Sequence, residues 1–122
     1  MKFSNDHPIY LQIKKEFYRR ICAGILKPGE KLTSVRETAI EIGVNANTVQ
    51  RSYSDMERDG IIEKRRGQGS YVTENQQVIQ QLRDQIAQEQ VFLFYNNMRQ
   101  IGFSNEEISN KLLETVKKEG KT

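Results

Sequence analysis

The sequence predicts a mainly α-helical chain with one small β-hairpin: an N-terminal winged helix-turn-helix and a short two-helix C-terminal dimerisation region. Three observations carry this. Residues 34 to 60 read as two short helices joined by a tight Gly43-Val44 turn. A basic loop, Lys64-Arg65-Arg66-Gly67-Gln68-Gly69, follows between two short β-type runs. Past Thr73 the composition turns Gln-rich, with apolar residues every three or four positions. The expected boundaries are 1–74 for the winged helix and 75–122 for the helical tail.

Residues 1 to 7 look frayed, and Pro8 falls where a first helical position would be, a place that tolerates proline. Ile9, Ile13, Phe17 and Ile21, widened by Tyr10, Leu11, Tyr18 and Cys22, form an apolar stripe at helical spacing. Gly24 stops that helix, and Leu26-Lys27-Pro28-Gly29-Glu30 is a turn by composition. Ser34 with Glu37 predicts a capping box at the start of a second helix, whose Val35, Ala39 and Ile42 face inward.

Gly43 supplies the turn, and Asn45 is the natural cap of the third helix. There Val49, Tyr53 and Met56 point inward, so Asn47, Gln50, Arg51 and Ser54 point out. Gly60 closes it. Ile61-Ile62-Glu63 and Ser70-Tyr71-Val72 pair as a hairpin around Gly67-Gln68-Gly69. In the tail, Val78, Leu82 and Ile86 continue through Leu93 or Phe94 to Met98 and Ile101, as one long helix or two with a bend. Gly102 breaks the pattern. Ser104 with Glu107 is a second capping box, and Phe103 with Ile108 a hydrophobic staple. Ile108, Leu112 and Val116 line the last helix, and Lys117 and Lys118 suit its C-terminal dipole.

The chain has 122 residues and a formal charge of only +3, so total charge does not select a partner. Its distribution does. Residues 1–74 hold 13 Lys and Arg against 10 Asp and Glu, whereas residues 75–122 hold six of each sign. The whole excess lies with the helix-turn-helix, where phosphate contact would need it. One cysteine permits no intrachain disulfide and fits a reduced, cytoplasmic compartment. Cys22 reads as a core residue. No apolar run approaches a membrane span, and none reads as a secretory signal, so a cytoplasmic, nucleoid-associated protein is expected.

Double-stranded DNA is the expected partner. A recognition helix meets base edges with its N-terminal residues, and Asn or Gln amides match adenine N7 and N6 as a bidentate pair. Asn47 and Gln50 stand so placed. Asn45 and Thr48 suit phosphate at the helix N-terminus. Arg36 can reach the backbone or a guanine edge, and Arg51 adds charge to the exposed face. On the wing, Lys64, Arg65 and Arg66 supply charge, while Gly67, Gln68 and Gly69 make a thin tip that fits a narrow groove.

These residues closely resemble the GntR superfamily of bacterial transcription regulators. Gly24-Ile-Leu-Lys-Pro-Gly-Glu-Lys-Leu-Thr-Ser-Val-Arg36 is similar to its pattern G-x-L-x-P-G-x-x-L-P-S-x-R, and Arg66-Gly-Gln-Gly-Ser-Tyr-Val72 to its wing. Pro8-Ile-Tyr-Leu-Gln-Ile13 resembles the opening of the YtrA-type and MocR-type branches, and Gly43-Val-Asn-Ala-Asn-Thr-Val-Gln50, with Tyr53, Glu57 and Gly60, resembles the YtrA-type branch. The resemblance implies that Arg36, Asn47, Thr48, Gln50 and Gly69 occupy DNA-contacting positions. Thr33 replaces the usual Pro, and Ala46 and Gln50 stand where many members carry Arg, so their operators do not transfer. A tail of about fifty residues is too short for the effector domains of the FadR-like or UTRA-containing branches. The YtrA likeness implies a dimerising tail and, often, control of an operon encoding an ABC transporter.

The leading expectation is a homodimeric regulator, a repressor, reading an inverted repeat. Leu82, Ile86, Phe92, Phe94, Met98, Ile108 and Leu112 would supply the dimer interface. The alternative keeps the winged helix for protein contact or non-specific DNA binding. An enzyme is not expected: His7 is the only histidine, Cys22 has no second thiol, and no Ser-His-Asp set, metal-ligand cluster or phosphate loop is visible. No cofactor or metal is indicated. A small-molecule effector stays open, with Phe92, Phe94 and Tyr95 as pocket, core or interface.

Overall fold

In the computed structural model, which describes residues 1–120, seven elements follow in order: α1 (Ile9–Cys22), α2 (Val35–Ile42), α3 (Ala46–Arg58), β1 (Ile62–Arg65), β2 (Gly69–Val72), α4 (Gln76–Gln100) and α5 (Asn105–Glu119). The chain divides into two compact units, Met1–Arg83 and Asp84–Thr122. The first thus takes in the opening turns of α4.

Pro8 is the N-cap of α1 and not its first helical residue. Its ψ of 141° is extended, and its carbonyl accepts from the N–H groups of Leu11 and Gln12. The segment before it is tied, against the frayed expectation. The Gln12 amide accepts from the Ser4 N–H and donates to the Ser4 and His7 carbonyls, at 2.7 to 2.9 Å. A side-chain amide that satisfies backbone groups anchors a segment with no secondary structure of its own.

The core of the first unit forms where the three short helices meet. Ile13, Phe17, Tyr18 and Ile21 of α1 lie against Val49, Tyr53 and Met56 of α3, with Leu32, Ala39, Ile61, Ile62 and Val72 closing the sides. Burial of each Val, Leu, Ile, Phe or Met among them contributes about 1.5–3 kcal/mol. Phe17 and Tyr53 meet edge to face at 5.7 Å. The Tyr53 hydroxyl donates to the Thr33 carbonyl at 2.6 Å, which holds the start of α2 on α3. At the other end of α3, Asp59 accepts from the Tyr18 hydroxyl at 2.6 Å and pairs with Lys14 at 2.8 Å. Burial works to raise the Asp59 carboxyl, but the Lys14 and Tyr18 contacts outweigh it and hold the group below its ordinary range.

Ser34 caps α2 by accepting from the Glu37 N–H, but the return bond from the Glu37 carboxylate is not made, so half of the expected box forms. Gly43 then turns at φ +72°, a left-handed conformation that costs glycine nothing. The Asn45 side chain caps α3 by accepting from the Asn47 N–H at 2.7 Å, as expected.

Strands β1 and β2 pair antiparallel from Ile62↔Val72 to Arg65↔Gly69. Residues 29 to 32, which begin inside the expected turn of Leu26 to Glu30, add a third ribbon to the edge of β2. Leu32 donates to Ser70, Val72 to Glu30 and Gly29 to Val72, at 2.8 to 2.9 Å, and Lys31 bridges Tyr71. The wing is thereby stapled to the residues that lead into α2.

Helix α4 is one helix of 25 residues, not two. In the second unit, Gly102 ends α4 and α5 begins with the full capping box between Ser104 and Glu107. The Tyr95 hydroxyl donates to Asn105 at 2.9 Å.

Candidate nucleic-acid interface

The inward residues of α3 fix what faces out. With Val49, Tyr53 and Met56 in the core, Asn47, Gln50, Arg51 and Ser54 are all exposed, and Thr48 is half-buried. Asn45 spends its carbonyl oxygen on the cap and leaves its amide nitrogen outward. Gln50 donates to Ser54 at 3.1 Å, a bond between exposed groups that a base edge could replace. Arg36, exposed on α2, borders a shallow depression together with Ile40, Asn45 and Ala46.

The wing presents Lys64, Arg66, Gly67, Gln68 and Gly69 to solvent, and Arg65 half-buried. Gly69 has φ +103°, and a Cβ there would stand 3.2 Å from Lys31 Cε. A side chain there would strain the positive φ and crowd the flexible Lys31 side chain, which would have to give way. A groove of ≈ 270 Å³ runs between recognition helix and wing, lined by Lys31, Ser34, Gln50, Glu57, Lys64 and Gly69. The two basic features read separately in the sequence therefore share one continuous surface.

The charges sort themselves. Lys14 pairs with Asp59, Arg19 and Arg20 with Glu16, and Arg58 with Asp55. Arg36, Arg51, Lys64, Arg65 and Arg66 make no ion pair among the described residues. The cations of this face keep their full charge for an anionic partner. The sequence reading missed three residues of this surface: Lys31 across the wing, Tyr10 against Arg51 and Tyr71 against Arg65. No local spacing signals them, because their neighbours come from other elements.

The residues expected to dimerise divide by exposure. Phe92 is 60% exposed, Phe94 37% and Leu112 48%, while Leu82, Ile86 and Met98 are half-buried. Ile108 is 6% exposed, covered by its own chain at the staple position, and is the least free for a second copy. Val91, Leu93, Ile101, Leu113 and Val116, each more than half exposed, extend the apolar surface of the second unit.

Cys22 is half-buried, and desolvation pushes its thiol up despite Arg83 nearby, as a packed cysteine behaves. The described residues hold no group of three His, Cys, Asp or Glu side chains that could bind a metal. No described helix is long and apolar enough to cross a membrane.

A helix-turn-helix with an exposed amide-bearing recognition helix and a basic wing defines a winged-helix DNA-binding regulator. Residues 9–72 match the family described as "Bacterial regulatory proteins, gntR family". The chain belongs to that family: it is a GntR-family transcriptional regulator with a DNA-binding helix-turn-helix domain. It is 44% identical over 107 residues to the "Uncharacterized HTH-type transcriptional regulator YhcF" of Bacillus subtilis (strain 168), covering 88% of each chain. It is 52% identical over 68 residues to the "HTH-type transcriptional repressor YtrA" of the same organism, covering 56% of this chain and 52% of that one. Among solved structures, a "GntR family transcriptional regulator from Listeria monocytogenes" superposes with a TM-score of 0.85 at 38% identity, covering 95% of this chain and 98% of the other. The YtrA-like resemblance is thus upheld, and these relatives are named as transcriptional regulators, not enzymes.

Proposed function

We propose that the protein is a homodimeric repressor that binds an inverted-repeat operator. In this reading residues 1–74 form the DNA-binding domain and residues 75–122 the dimerising tail. The observation that carries it is the second unit's surface. Ile108 is its one buried apolar residue among those described, while Phe92, Leu93, Ile101, Leu113 and Val116 lie in water. So little self-burial in two helices leaves most of their hydrophobic free energy unused, and a second copy would recover it. A two-fold axis then repeats the recognition helix on two half-sites one helical turn or a multiple apart.

Base reading falls to Asn47 and Gln50, and phosphate contact to Asn45, Thr48, Arg36, Arg51, Lys64, Arg65 and Arg66, with Gly67, Gln68 and Gly69 at the wing tip. Repression follows the name of the YtrA relative. The same likeness extends the proposal to an operon encoding an ABC transporter, in the cytoplasm where the nucleoid lies.

The test is selection of genomic fragments by the purified chain, followed by footprinting upstream of its own operon. The expected result is an inverted repeat, protected as two half-sites, and a complex with two chains per duplex. Enrichment of no repeat, or equal affinity for all sequences at physiological salt, would overturn sequence-specific regulation and leave a non-specific DNA-binding or protein-interaction module.

A further inference from the structure

Two arginines of the candidate interface are held in place, and neither is held by a carboxylate. The Arg51 guanidinium lies over the Tyr10 ring, 3.7 Å from its centroid, and donates to the Tyr10 hydroxyl at 3.1 Å. The Arg65 guanidinium lies over the Tyr71 ring at 4.0 Å. The first tyrosine sits in the opening turn of α1 and the second in β2, so the arrangement arises twice, from unrelated elements. Tyr10 is itself clamped. Ser52, fully buried and next to Arg51 in the chain, donates its hydroxyl to the Tyr10 carbonyl at 2.7 Å.

A carboxylate partner would neutralise a guanidinium and occupy the N–H groups that a phosphate needs. An aromatic face does not neutralise it, and at Arg51 the Tyr10 hydroxyl takes an N–H of one terminal nitrogen only. It attracts the cation through the ring quadrupole, fixes the guanidinium plane and leaves the remaining edge N–H groups for a phosphate. The paired arginines elsewhere, Arg19, Arg20 and Arg58, show the other choice. We infer that Tyr10 and Tyr71 are positioning residues, which hold Arg51 and Arg65 flat and charged so that their N–H edges meet DNA phosphate oxygens as bidentate donors. This rests on the DNA-binding reading above and adds to it which side chains set the phosphate contacts. Fixing one long side chain before binding is worth about a two- to ten-fold gain in affinity, through ordering entropy that is not lost later.

The test is a double-mutant cycle on the full chain, with a short mixed-sequence duplex as the probe because phosphate contact needs no operator. Tyr10→Leu should weaken binding about two- to ten-fold, and Tyr10→Phe, which keeps the ring and loses only the hydroxyl contact, should lose clearly less. In an Arg51→Ala background Tyr10→Leu should cost nothing further. Equal loss with and without Arg51, a Tyr10→Phe loss as large as Tyr10→Leu, or no loss from Tyr10→Leu would each overturn the inference. If Tyr10→Leu fails to fold, Tyr71→Leu, Tyr71→Phe and Arg65→Ala make the same cycle on the wing and decide it by the same outcomes. A wild-type chain that binds no duplex at all would instead sink the DNA-binding reading itself.

Discussion

Replacing Arg66 by Ala removes one exposed guanidinium from the wing tip, where it has no ion-pair partner among the described residues. The expected signature lies in the salt dependence, not in one dissociation constant. Each chain presents Arg36, Arg51, Lys64, Arg65 and Arg66 on the candidate interface, so the proposed two-fold dimer would present about ten cations. If each meets a phosphate, log Kobs falls against log[salt] with a slope of about −9, from about 0.9 counterions released per contact. Losing Arg66 from both protomers removes about two contacts and brings the slope to about −7. Between about 50 and 200 mM salt the gap between wild type and variant should therefore narrow about twelve-fold. Fluorescence anisotropy on the selected operator and on a scrambled duplex measures both slopes. Arg66 carries charge and no base information in this account, so both duplexes should lose affinity alike. An unchanged slope, or a loss confined to the operator, would refute the reasoning.

Other substitutions separate reading, capping, assembly and ion pairing. Asn47→Ala or Gln50→Ala should flatten preference at one operator position by about 1–3 kcal/mol while leaving the dimer mass intact; selection from a randomised half-site that still returned the same base would contradict the assignment. Asn45→Ala removes the cap of α3 and should cost about 1 kcal/mol in a denaturant melt, with Asn45→Asp restoring it. Phe92→Asp combined with Leu113→Asp should halve the mass seen by light scattering, and an unchanged mass would move the interface elsewhere. Glu16 accepts from Arg19, and against the opposing cost of its burial that bond, helped by Arg20, lowers its carboxyl from 4.5 to about 2. A depressed folded-state value means stability present above about pH 4.5 and lost as pH falls to about 2. The pair is largely solvent-screened, so the loss is about 1 kcal/mol. The stability difference between wild type and Glu16→Gln should shrink across that window; a constant difference would exclude the linkage.

Where the fold was legible, the signal was local. The α3 cap at Asn45 and its inward stripe of Val49, Tyr53 and Met56 follow from a few neighbouring residues and stand as read; the hairpin around Gly67–Gly69 forms too, but its strands take in Lys64, Arg65 and Gly69, expected in the loop, and leave out Ile61. The continuity of α4 was also within reach, since 76–100 contains neither Gly nor Pro. Other features needed three dimensions. Pro28-Gly29 breaks helices, and nothing in its composition says that residues 29 to 32 will lie along β2. The Tyr10–Arg51 stack joins positions 41 apart, so no period or motif contains both. Ser34 and Glu37 have capping-box spacing, yet only one of the two bonds forms, because spacing fixes opportunity and not the rotamer. Pro8 was misplaced by one position, for φ near −60° suits cap and first turn alike and only ψ tells them apart.

The ribbon from Gly29 to Leu32 has a consequence for how a duplex is measured. By bonding to β2 on one side and leading on the other into α2, whose start the Tyr53–Thr33 bond holds on α3, it ties hairpin and recognition helix into one caliper. The distance between its jaws is set by covalent chain and main-chain bonds before any duplex arrives. Lengthening the link between Leu32 and Ser34 by a single residue should leave each jaw intact and spoil the gap, so that neither groove is met in register with the other.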